Sequence, residues 1–146
     1  MKLYGLIKPS QANEVEEKAW LAGYEIVCEW WTAHGFPPVP VEALPSLGVI
    51  AADDDLDGKA AGWLYMDNSS TVAMMEWLVV NPNATPKESL TALKTVIEFL
   101  KTEAGHMGYK TILTTCRQNG LAKVAEKLGF TRTDEGMIHL IWKDNT

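Results

Sequence analysis

The stretch TVAMMEWLVVNPNATPKESLTALKTVIEFLKTEA, residues 71–104, decides the fold of this chain. Its first part, residues 71–80, is an apolar run that predicts a β-strand. A short loop rich in asparagine and proline follows, and a long amphipathic helix comes next. A strand that delivers its C-terminal end to a helix N-terminus is a common way to build an anion or cofactor site.

The start of this helix is marked by Thr85-Pro86-Lys87-Glu88. A threonine cap, a proline at the first helical position and a glutamate at the third form a complete start signal. Gly105 or Gly108 is the expected end of the helix. The residues expected on its buried face are Leu90, Leu93, Ile97, Leu100 and Ala104.

Upstream, Leu47–Ala52 and residues 62–66 read as two further strands. The acidic segment 53–58 and the segment 67–70 are rich in turn-forming residues. With residues 71–80, these strands predict an antiparallel meander.

The N-terminal part predicts an edge strand at residues 3–7, followed by helical sequence from Asn13, which forms a capping box with Glu16. Gly23 weakens the middle of this segment, which could therefore be two helices. Gly35 is the expected stop, and the proline-rich residues 36–45 predict an ordered surface loop. One apolar stripe contains Val15, Ala19, Ala22, Ile26 and Trp30; a second contains Trp20, Tyr24, Val27 and Trp31.

The C-terminal part predicts a strand at residues 109–116 and a short helix that Asn119-Gly120 opens and Gly129 stops. A final strand is expected at residues 137–142, paired with residues 130–133. The apolar side of the short helix is expected to contain Leu121, Val124, Ala125 and Leu128. The complete order predicts an α/β domain with a mixed sheet of six or seven strands.

Composition narrows the function classes. The 146 residues suit one domain spanning 1–146, and the net charge of −6 argues against a nucleic-acid-binding face while weakly favouring a cationic partner. Cys28 and Cys116 stand alone in the sequence, so neither a disulfide framework nor a zinc motif is indicated. No signal peptide or membrane span is recognisable, and the cytoplasm is the expected compartment.

Two motifs carry a resemblance to the GNAT family of N-acetyltransferases. The segment NGLAKVAEKLGF, residues 119–130, is similar to the late helix of that family, and Leu78-Val79-Val80-Asn81-Pro82 resembles the end of its fourth strand. The resemblance implies a GNAT-like α/β fold, with a mostly antiparallel mixed sheet flanked by helices. It also implies that acetyl-CoA lies where the fourth and fifth strands separate, with its pantetheine arm on the backbone of Leu78, Val79 and Val80. The other implied cofactor contacts are Thr85, Lys87, Glu88, Ser89 and Asn119.

The chain departs from the family pattern at two places. The family's loop after the fourth strand carries glycines that let backbone N–H groups approach the pyrophosphate, whereas residues 85–90 contain none. Pro86 lacks an N–H, the Thr85 hydroxyl occupies another by capping, and Glu88 adds a negative charge. In the late helix, Ala125 stands where many members place a tyrosine as general acid. Such eroded loops resemble those of small bacteriophage-encoded members, so a phage-related origin is one reading.

Glu76 is the leading catalytic candidate. A carboxylate in an apolar strand is costly unless it is paired or faces water, and desolvation would raise its pKa towards that of a general base. The resemblance implies this role, because family members often use a glutamate on this strand to deprotonate the substrate amine through water. The alternation of side chains places Glu76 on the face of Met74, Leu78 and Val80. A solvated glutamate or a structural ion pair is the alternative.

Other candidates have simpler explanations. Asp53, Asp55 and Asp57 match half of a calcium loop, but Leu64 stands at the position of its bidentate glutamate, so no metal is expected. Cys116 is expected to be a buried thiol. The aromatic residues, expected in the core or at a groove or oligomer interface, are Trp20, Trp30, Trp31, Trp63, Tyr65 and Trp77. The basic residues Lys110, Arg117, Lys123 and Lys127 could meet phosphates or form a solvated face.

The leading interpretation is acyl-CoA-dependent N-acetyl transfer to the amine of a small molecule or peptide, with Glu76 as base and acetyl-CoA as co-substrate. The alternative is a catalytically inactive GNAT-like domain that binds a protein partner. A homodimer is compatible with either interpretation, and no nucleic-acid or membrane partner is expected.

Overall fold

The computed structural model describes residues 1–8 and 14–144. Five strands form one mixed sheet in the order β1-β2-β3-β4-β5; the first three pairings are antiparallel and β4–β5 is parallel. The predicted α/β class and mixed sheet are confirmed. The elements are β1 (Lys2–Gly5), α1 (Glu14–Ala33), a 3₁₀ turn (Val41–Ala43), β2 (Leu47–Ala52), β3 (Gly58–Met66), β4 (Val72–Val80), α2 (Pro86–His106), β5 (Thr111–Thr114) and α3 (Asn119–Lys127).

Helices cover both faces of the sheet. On one face, α2 packs its buried residues Leu93, Val96, Ile97 and Leu100 against the central strands, with α3 beside it. On the other face, α1 buries Trp20, Val27, Trp30 and Trp31 against β3 and β4. Two apolar cores therefore hold the sheet between them.

The antiparallel meander is confirmed, and its strands alternate their side chains between the two cores. Ala60 and Leu64 of β3 pack beneath α2, whereas Ala61 and Trp63 pack beneath α1. Gly48 of β2 lies under the Trp63 indole, where a Cβ atom would be 2.3 Å from Nε1. The Trp63 indole therefore fits against the sheet because the neighbouring residue, Gly48, has no side chain.

The predictions for α1 need two corrections, and a third prediction is not tested. It is one helix and not two, since Gly23 provides the space that Leu6 fills; a Cβ atom there would lie 2.5 Å from the Leu6 side chain. The stripe beginning at Val15 was wrong, because Val15 is 76% exposed and Ile26 is 45% exposed, and of that stripe only Trp30 is buried. Asn13, the predicted cap, lies outside the described residues.

The capping box of α2 is confirmed. The Thr85 hydroxyl accepts a hydrogen bond from the Glu88 backbone N–H, and the Glu88 carboxylate accepts one from the Thr85 N–H. The buried face is also confirmed except at Leu90, which is 38% exposed.

The final pair of strands was a wrong prediction. Residues 128–144 contain no strand or helix, and the apolar side chains of Met137, Ile138, Leu140, Ile141 and Trp142 are 65–91% exposed. Alternating apolar residues form a strand only where an edge pairs with them, and β5 pairs only with β4 in the part of the chain that the structure describes. The sheet consequently has five strands, not six or seven.

Candidate active site

The sheet opens between β4 and β5. Their parallel pairing begins at Val72 and Thr111 and ends at Met75 and Thr114. The Thr114 hydroxyl donates a 2.6 Å hydrogen bond to the Met75 carbonyl at this last pair. Because β4 continues to Val80 while β5 stops, the outer edge of β4 from Glu76 onward faces a cleft and not another strand.

A β-bulge lies at the point where the strands separate. Trp63 pairs with Glu76 and Ala61 pairs with Val79, so β4 has one more residue than β3 in this interval. Trp77 takes up the extra residue with a positive φ of 62°, an uncommon conformation for a tryptophan. Its indole N–H donates a 2.8 Å hydrogen bond to the Tyr65 hydroxyl, which in turn donates to the Ala43 carbonyl.

This bulge corrects the predicted side-chain pattern of β4. Ala73 and Met75 pack into the core beneath α2, and after the extra residue Leu78 and Val80 do so as well. Glu76 therefore does not share a face with Leu78 and Val80. The bulge places Glu76 and Trp77 in succession towards the α1 side, where both line the cleft.

The cleft is narrow and opens to solvent at its mouth. Its walls come from the C-terminal end of α1 and the loop after it, from residues 76–79 of β4, and from residues 115–118 after β5. Trp31, Phe36 and Leu78 make much of the wall apolar, and polar groups are provided chiefly by Glu76, Arg117 and two histidines. A concave, mainly apolar site with a few polar groups is typical of small-molecule binding.

Glu76 has the most altered acidity in this cleft. Burial raises its pKa to about 7, since removing a carboxylate from water disfavours the charged form. Hydrogen bonds with the side chain and backbone of Thr115 act in the opposite direction. A carboxyl group with this pKa exchanges a proton readily near neutral pH, as a general base must.

The cleft contains two histidines, His34 and His139. His34 Nε2 lies 2.9 Å from the Val80 carbonyl oxygen, and because a carbonyl can only accept, Nε2 carries the proton. His139 packs edge-on against Trp77 with ring centroids 6.3 Å apart. His34 follows the end of α1, but no local sequence signal shows that the end of α1 meets β4.

Three more polar residues line the cleft, Thr115, Arg117 and Gln118, and of these only Arg117 was among the predicted candidates. The Arg117 guanidinium lies 4.8 Å from the centre of the Phe36 ring, which fixes its position at the cleft wall. Arg117 was included in the predicted basic group, but the contact with Phe36 joins segments that are remote in sequence.

The structure brings some predicted site residues together and leaves others apart. Glu76, Leu78 and Val79 line the cleft, and Val80 presents its carbonyl to His34. Thr85, Lys87, Glu88 and Ser89 lie at the start of α2, outside the lining of the cleft. Asn119 opens α3 and accepts a hydrogen bond from Arg132, while its neighbour Gln118 lines the cleft.

The start of α2 is surrounded by acidic groups. Lys59 is buried, and its ammonium lies 2.7 Å from Asp57, 3.5 Å from Asp53 and 3.7 Å from Glu88, measured between charged atoms. The Thr85 backbone N–H holds the pKa of Glu88 below its usual value, and hydrogen bonds within the turn do the same for Asp53. These carboxylates are therefore ionised at neutral pH, and Lys59 is already engaged.

The remaining candidates have structural roles. Asp53 accepts hydrogen bonds from the backbone N–H groups of Asp55 and Asp57, which shapes the turn. Among residues 1–8 and 14–144, no three His, Cys, Asp or Glu side chains are grouped so as to hold a metal ion. Burial raises the pKa of Cys116, which keeps it a thiol. Ala125 is buried in the core beneath α2.

Solved structures share this architecture. A protein described as a probable acetyltransferase is 16% identical, with 100% of both chains covered and a TM-score of 0.65. An aminoglycoside acetyltransferase from an uncultured soil metagenomic sample, crystallised with trehalose, is 11% identical over 99% of this chain and 96% of its own, with a TM-score of 0.63. Glucosamine-6-phosphate N-acetyltransferase from Arabidopsis thaliana is 16% identical over 91% and 82%, with a TM-score of 0.53.

Sequence comparison adds no closer relationship. No family model matches the chain, and no curated protein matches it significantly. None of the helices in the described ranges is both long and apolar enough to cross a membrane. At these identities the structural likeness establishes architecture. The chain has the GNAT-like fold of the acyl-CoA N-acyltransferases, a mixed sheet flanked by helices.

Proposed function

We propose that this protein transfers an acetyl group from the thioester of acetyl-CoA to an amine. The observation that carries the proposal is the position of Glu76, a carboxyl group with a pKa of about 7 in an open cleft where β4 and β5 separate. A group that can accept a proton near neutral pH, beside an unpaired strand edge, meets the main needs of this reaction.

The proposed reaction needs one proton acceptor and one leaving group. The amine nitrogen attacks the thioester carbonyl carbon, forming a carbon–nitrogen bond, and the carbon–sulfur bond then breaks. Glu76 takes the proton from nitrogen, directly or through one water molecule, and the thiolate leaves with a proton from solvent. Because Ala125 supplies no hydroxyl, protonation of the thiolate is left to solvent in this scheme.

The residues present suit the two ends of acetyl-CoA differently. The free edge of β4 beside Leu78 and Val79 offers backbone groups for the amides of a pantetheine arm, as an added strand would pair. His34 already donates to the Val80 carbonyl, although that oxygen keeps a second lone pair. The start of α2 suits phosphate groups poorly, because its cap and Glu88 occupy it.

The acceptor is proposed to be a small cationic amine or an amine-bearing peptide. The net charge of −6 favours the approach of a cation, and the apolar wall with Trp31 and Phe36 suits the carbon skeleton of such an acceptor. An aminoglycoside and an amino sugar phosphate are named for two proteins of the same fold. Their acceptors differ, so amine chemistry is the shared feature.

The second candidate function is a catalytically inactive domain that binds a protein partner. The closed start of α2 favours this candidate, because a protein without a phosphate site has fewer groups with which to bind acetyl-CoA. The burial of Trp20, Trp30, Trp31 and Trp63 removes these residues from any interaction surface, whereas the exposed apolar side chains of residues 137–142 favour a partner. The cleft around Glu76 favours the enzyme.

Calorimetric titration with acetyl-CoA and with free coenzyme A, followed by a thiol-release assay over a panel of amines, tests the proposal. We expect micromolar binding and amine-dependent thiol release that Glu76→Gln reduces at least about 100-fold. Glu98→Gln, an exposed glutamate of α2, is the matched control and should retain activity. Absence of binding at millimolar ligand would reject the acetyltransferase and favour the protein-binding candidate.

A further inference from the structure

We infer that this protein recognises its donor as an acyl-pantetheine thioester and gains little from the phosphoadenosine diphosphate part of coenzyme A. This inference rests on the proposed function and specifies its donor. It is drawn from the contrast between two ends of one strand–loop–helix unit, the free edge of β4 and the closed start of α2.

The backbone N–H groups at the start of α2 are nearly all used within the chain. Pro86 has none; the N–H of Glu88 donates to the Thr85 hydroxyl at 3.2 Å, and that of Ser89 donates to the Thr85 carbonyl at 2.9 Å. The Thr85 N–H donates to the Glu88 carboxylate at 2.8 Å. Within residues 85–89, Lys87 alone keeps an N–H group free for an anion. A diphosphate bound at a helix start normally uses several such groups.

The charges around this helix start also oppose a diphosphate. Three carboxylates, those of Asp53, Asp57 and Glu88, surround the single ammonium of Lys59. Lys59 and the exposed Lys87 supply two positive charges against these three negative ones, so the helix start remains net negative, and the Lys59 side chain, 8% exposed, has little surface to offer an additional anion. A carboxylate at the third helical position takes the place that an incoming phosphate would occupy in the field of the helix.

The other basic side chains near α3 give weak compensation. Arg132 is held by two carboxylates, each at 2.7 Å, from Glu126 and Glu135. Lys123, Lys127 and Arg117 are exposed, so salt screens their attraction for a phosphate, and Arg117 lies against the Phe36 ring at the cleft wall. Neither group forms a built phosphate site comparable with a cradle of backbone N–H groups.

The pantetheine end is different. Past the Met75–Thr114 pair, β4 presents an unpaired edge to a cleft that also holds Glu76, so amide pairing and the reacting carboxyl group lie together. Donor binding in this arrangement depends on strand-like hydrogen bonds and apolar contact, which a pantetheine thioester provides in full.

The direct test compares kcat/KM for S-acetylpantetheine and acetyl-CoA with the same amine. We expect the two values to agree within about fivefold, and adenosine 3′,5′-bisphosphate to give no inhibition at millimolar concentration. A preference for acetyl-CoA above about 50-fold, or micromolar inhibition by the bisphosphate, would overturn the inference.

Two outcomes separate this inference from the proposed function. If neither thioester reacts with any amine, the proposed function fails, and calorimetric binding of pantetheine and coenzyme A then decides the inference alone. Equal affinities would support it; tighter binding of coenzyme A, or no binding of either, would reject it.

A charge variant provides an internal check. Glu88→Gln keeps an oxygen for the Thr85 N–H and removes the negative charge, so the preference for acetyl-CoA over S-acetylpantetheine should rise about three- to tenfold. Glu98→Gln removes an exposed charge further along α2 and should leave the preference unchanged. An unchanged preference in Glu88→Gln would contradict the electrostatic part of the inference.

Discussion

Thr114 and Met75 form the last pair between β4 and β5, and the Thr114 hydroxyl closes it with a 2.6 Å hydrogen bond to the Met75 carbonyl. Immediately beyond this bond the two strands separate, and Glu76 is the first residue of β4 to face the cleft. The separation therefore has a defined starting point, fixed by a side chain of one strand and the backbone of its neighbour.

Replacing that hydroxyl should loosen the start of the cleft. Thr114→Val keeps the shape of the side chain but leaves the Met75 carbonyl without this donor, so we expect a loss of about 1 kcal/mol in unfolding free energy. Urea unfolding followed by tryptophan fluorescence measures it. Thr111→Val, an exposed position on the same strand, is the control and should change stability by less than about 0.5 kcal/mol. Equal effects of the two variants would contradict a specific role of this bond.

The acidity of Glu76 predicts the pH dependence of catalysis. A base with a pKa of about 7 must lose its proton before it can accept one, so kcat/KM at a fixed concentration of free amine should rise up to about pH 7 and then level. In Glu76→Gln the residual kcat/KM should not show this rise with pH. Initial rates from pH 5.5 to 9 provide the measurement. A limb near 7 that persists in Glu76→Gln would assign the titration to another group.

The same group predicts how stability depends on pH. The folded chain binds the Glu76 proton with a pKa of about 7 instead of the usual 4.5, so between these values it holds more protons than the unfolded chain. The Glu76 contribution to stability should therefore fall as pH rises from about 4.5 to 7. The unfolding free energy of Glu76→Gln minus that of wild type should therefore be higher at pH 8 than at pH 5 by on the order of 2 kcal/mol, as measured by urea unfolding.

Glu88→Gln provides a control of opposite sign for that measurement. Because the pKa of Glu88 is lowered, its contribution is present above the usual value and is lost as pH falls. The Glu88→Gln variant should consequently be less stable than wild type at neutral pH, and this difference in unfolding free energy should disappear as the pH falls. Parallel pH profiles for the two glutamine variants would contradict both assignments.

Gly48 should be one of the positions least tolerant of a methyl group. Its Cβ would lie 2.3 Å from Nε1 of Trp63, which is 1% exposed and has no room to move, so Gly48→Ala should cost about 1–3 kcal/mol. Gly105→Ala is the matched control, because a Cβ in that helical position meets nothing within 4 Å and should be neutral or stabilise by up to about 1 kcal/mol. Thermal unfolding of both variants tests the contrast.

The elements of the fold were largely predictable because their signals are local. The Thr85 cap, the apolar face of α2 and the strand of residues 71–80 each depend on neighbours within a few positions. The strand at residues 137–142 was predicted from the same kind of pattern and was wrong, because a strand also needs an edge to pair with. The exposed side of α1 was misassigned for a related reason: its apolar residues surround much of the helix, and only packing selects a face.

The candidate site was predictable only in part. Glu76 stood out in the sequence as a carboxylate within an apolar strand, and the cleft contains it. His34, Thr115 and Gln118 carried no comparable signal, since each lies in an ordinary local context and reaches the cleft through the fold. The bulge at Trp77 was also missed, because the alternation of side chains in a strand does not indicate where an extra residue is inserted.

The sequence by itself determined the order of the elements, the start of α2 and the lack of glycine in the loop before it. These properties follow from hydrogen bonds and backbone preferences that act over one helical turn. Tertiary structure decided the burial of Glu76, the faces of β4 on either side of Trp77, and the contact of His34 with Val80. Each of these depends on desolvation or on groups far apart in sequence, and both arise only when the sheet and helices pack together.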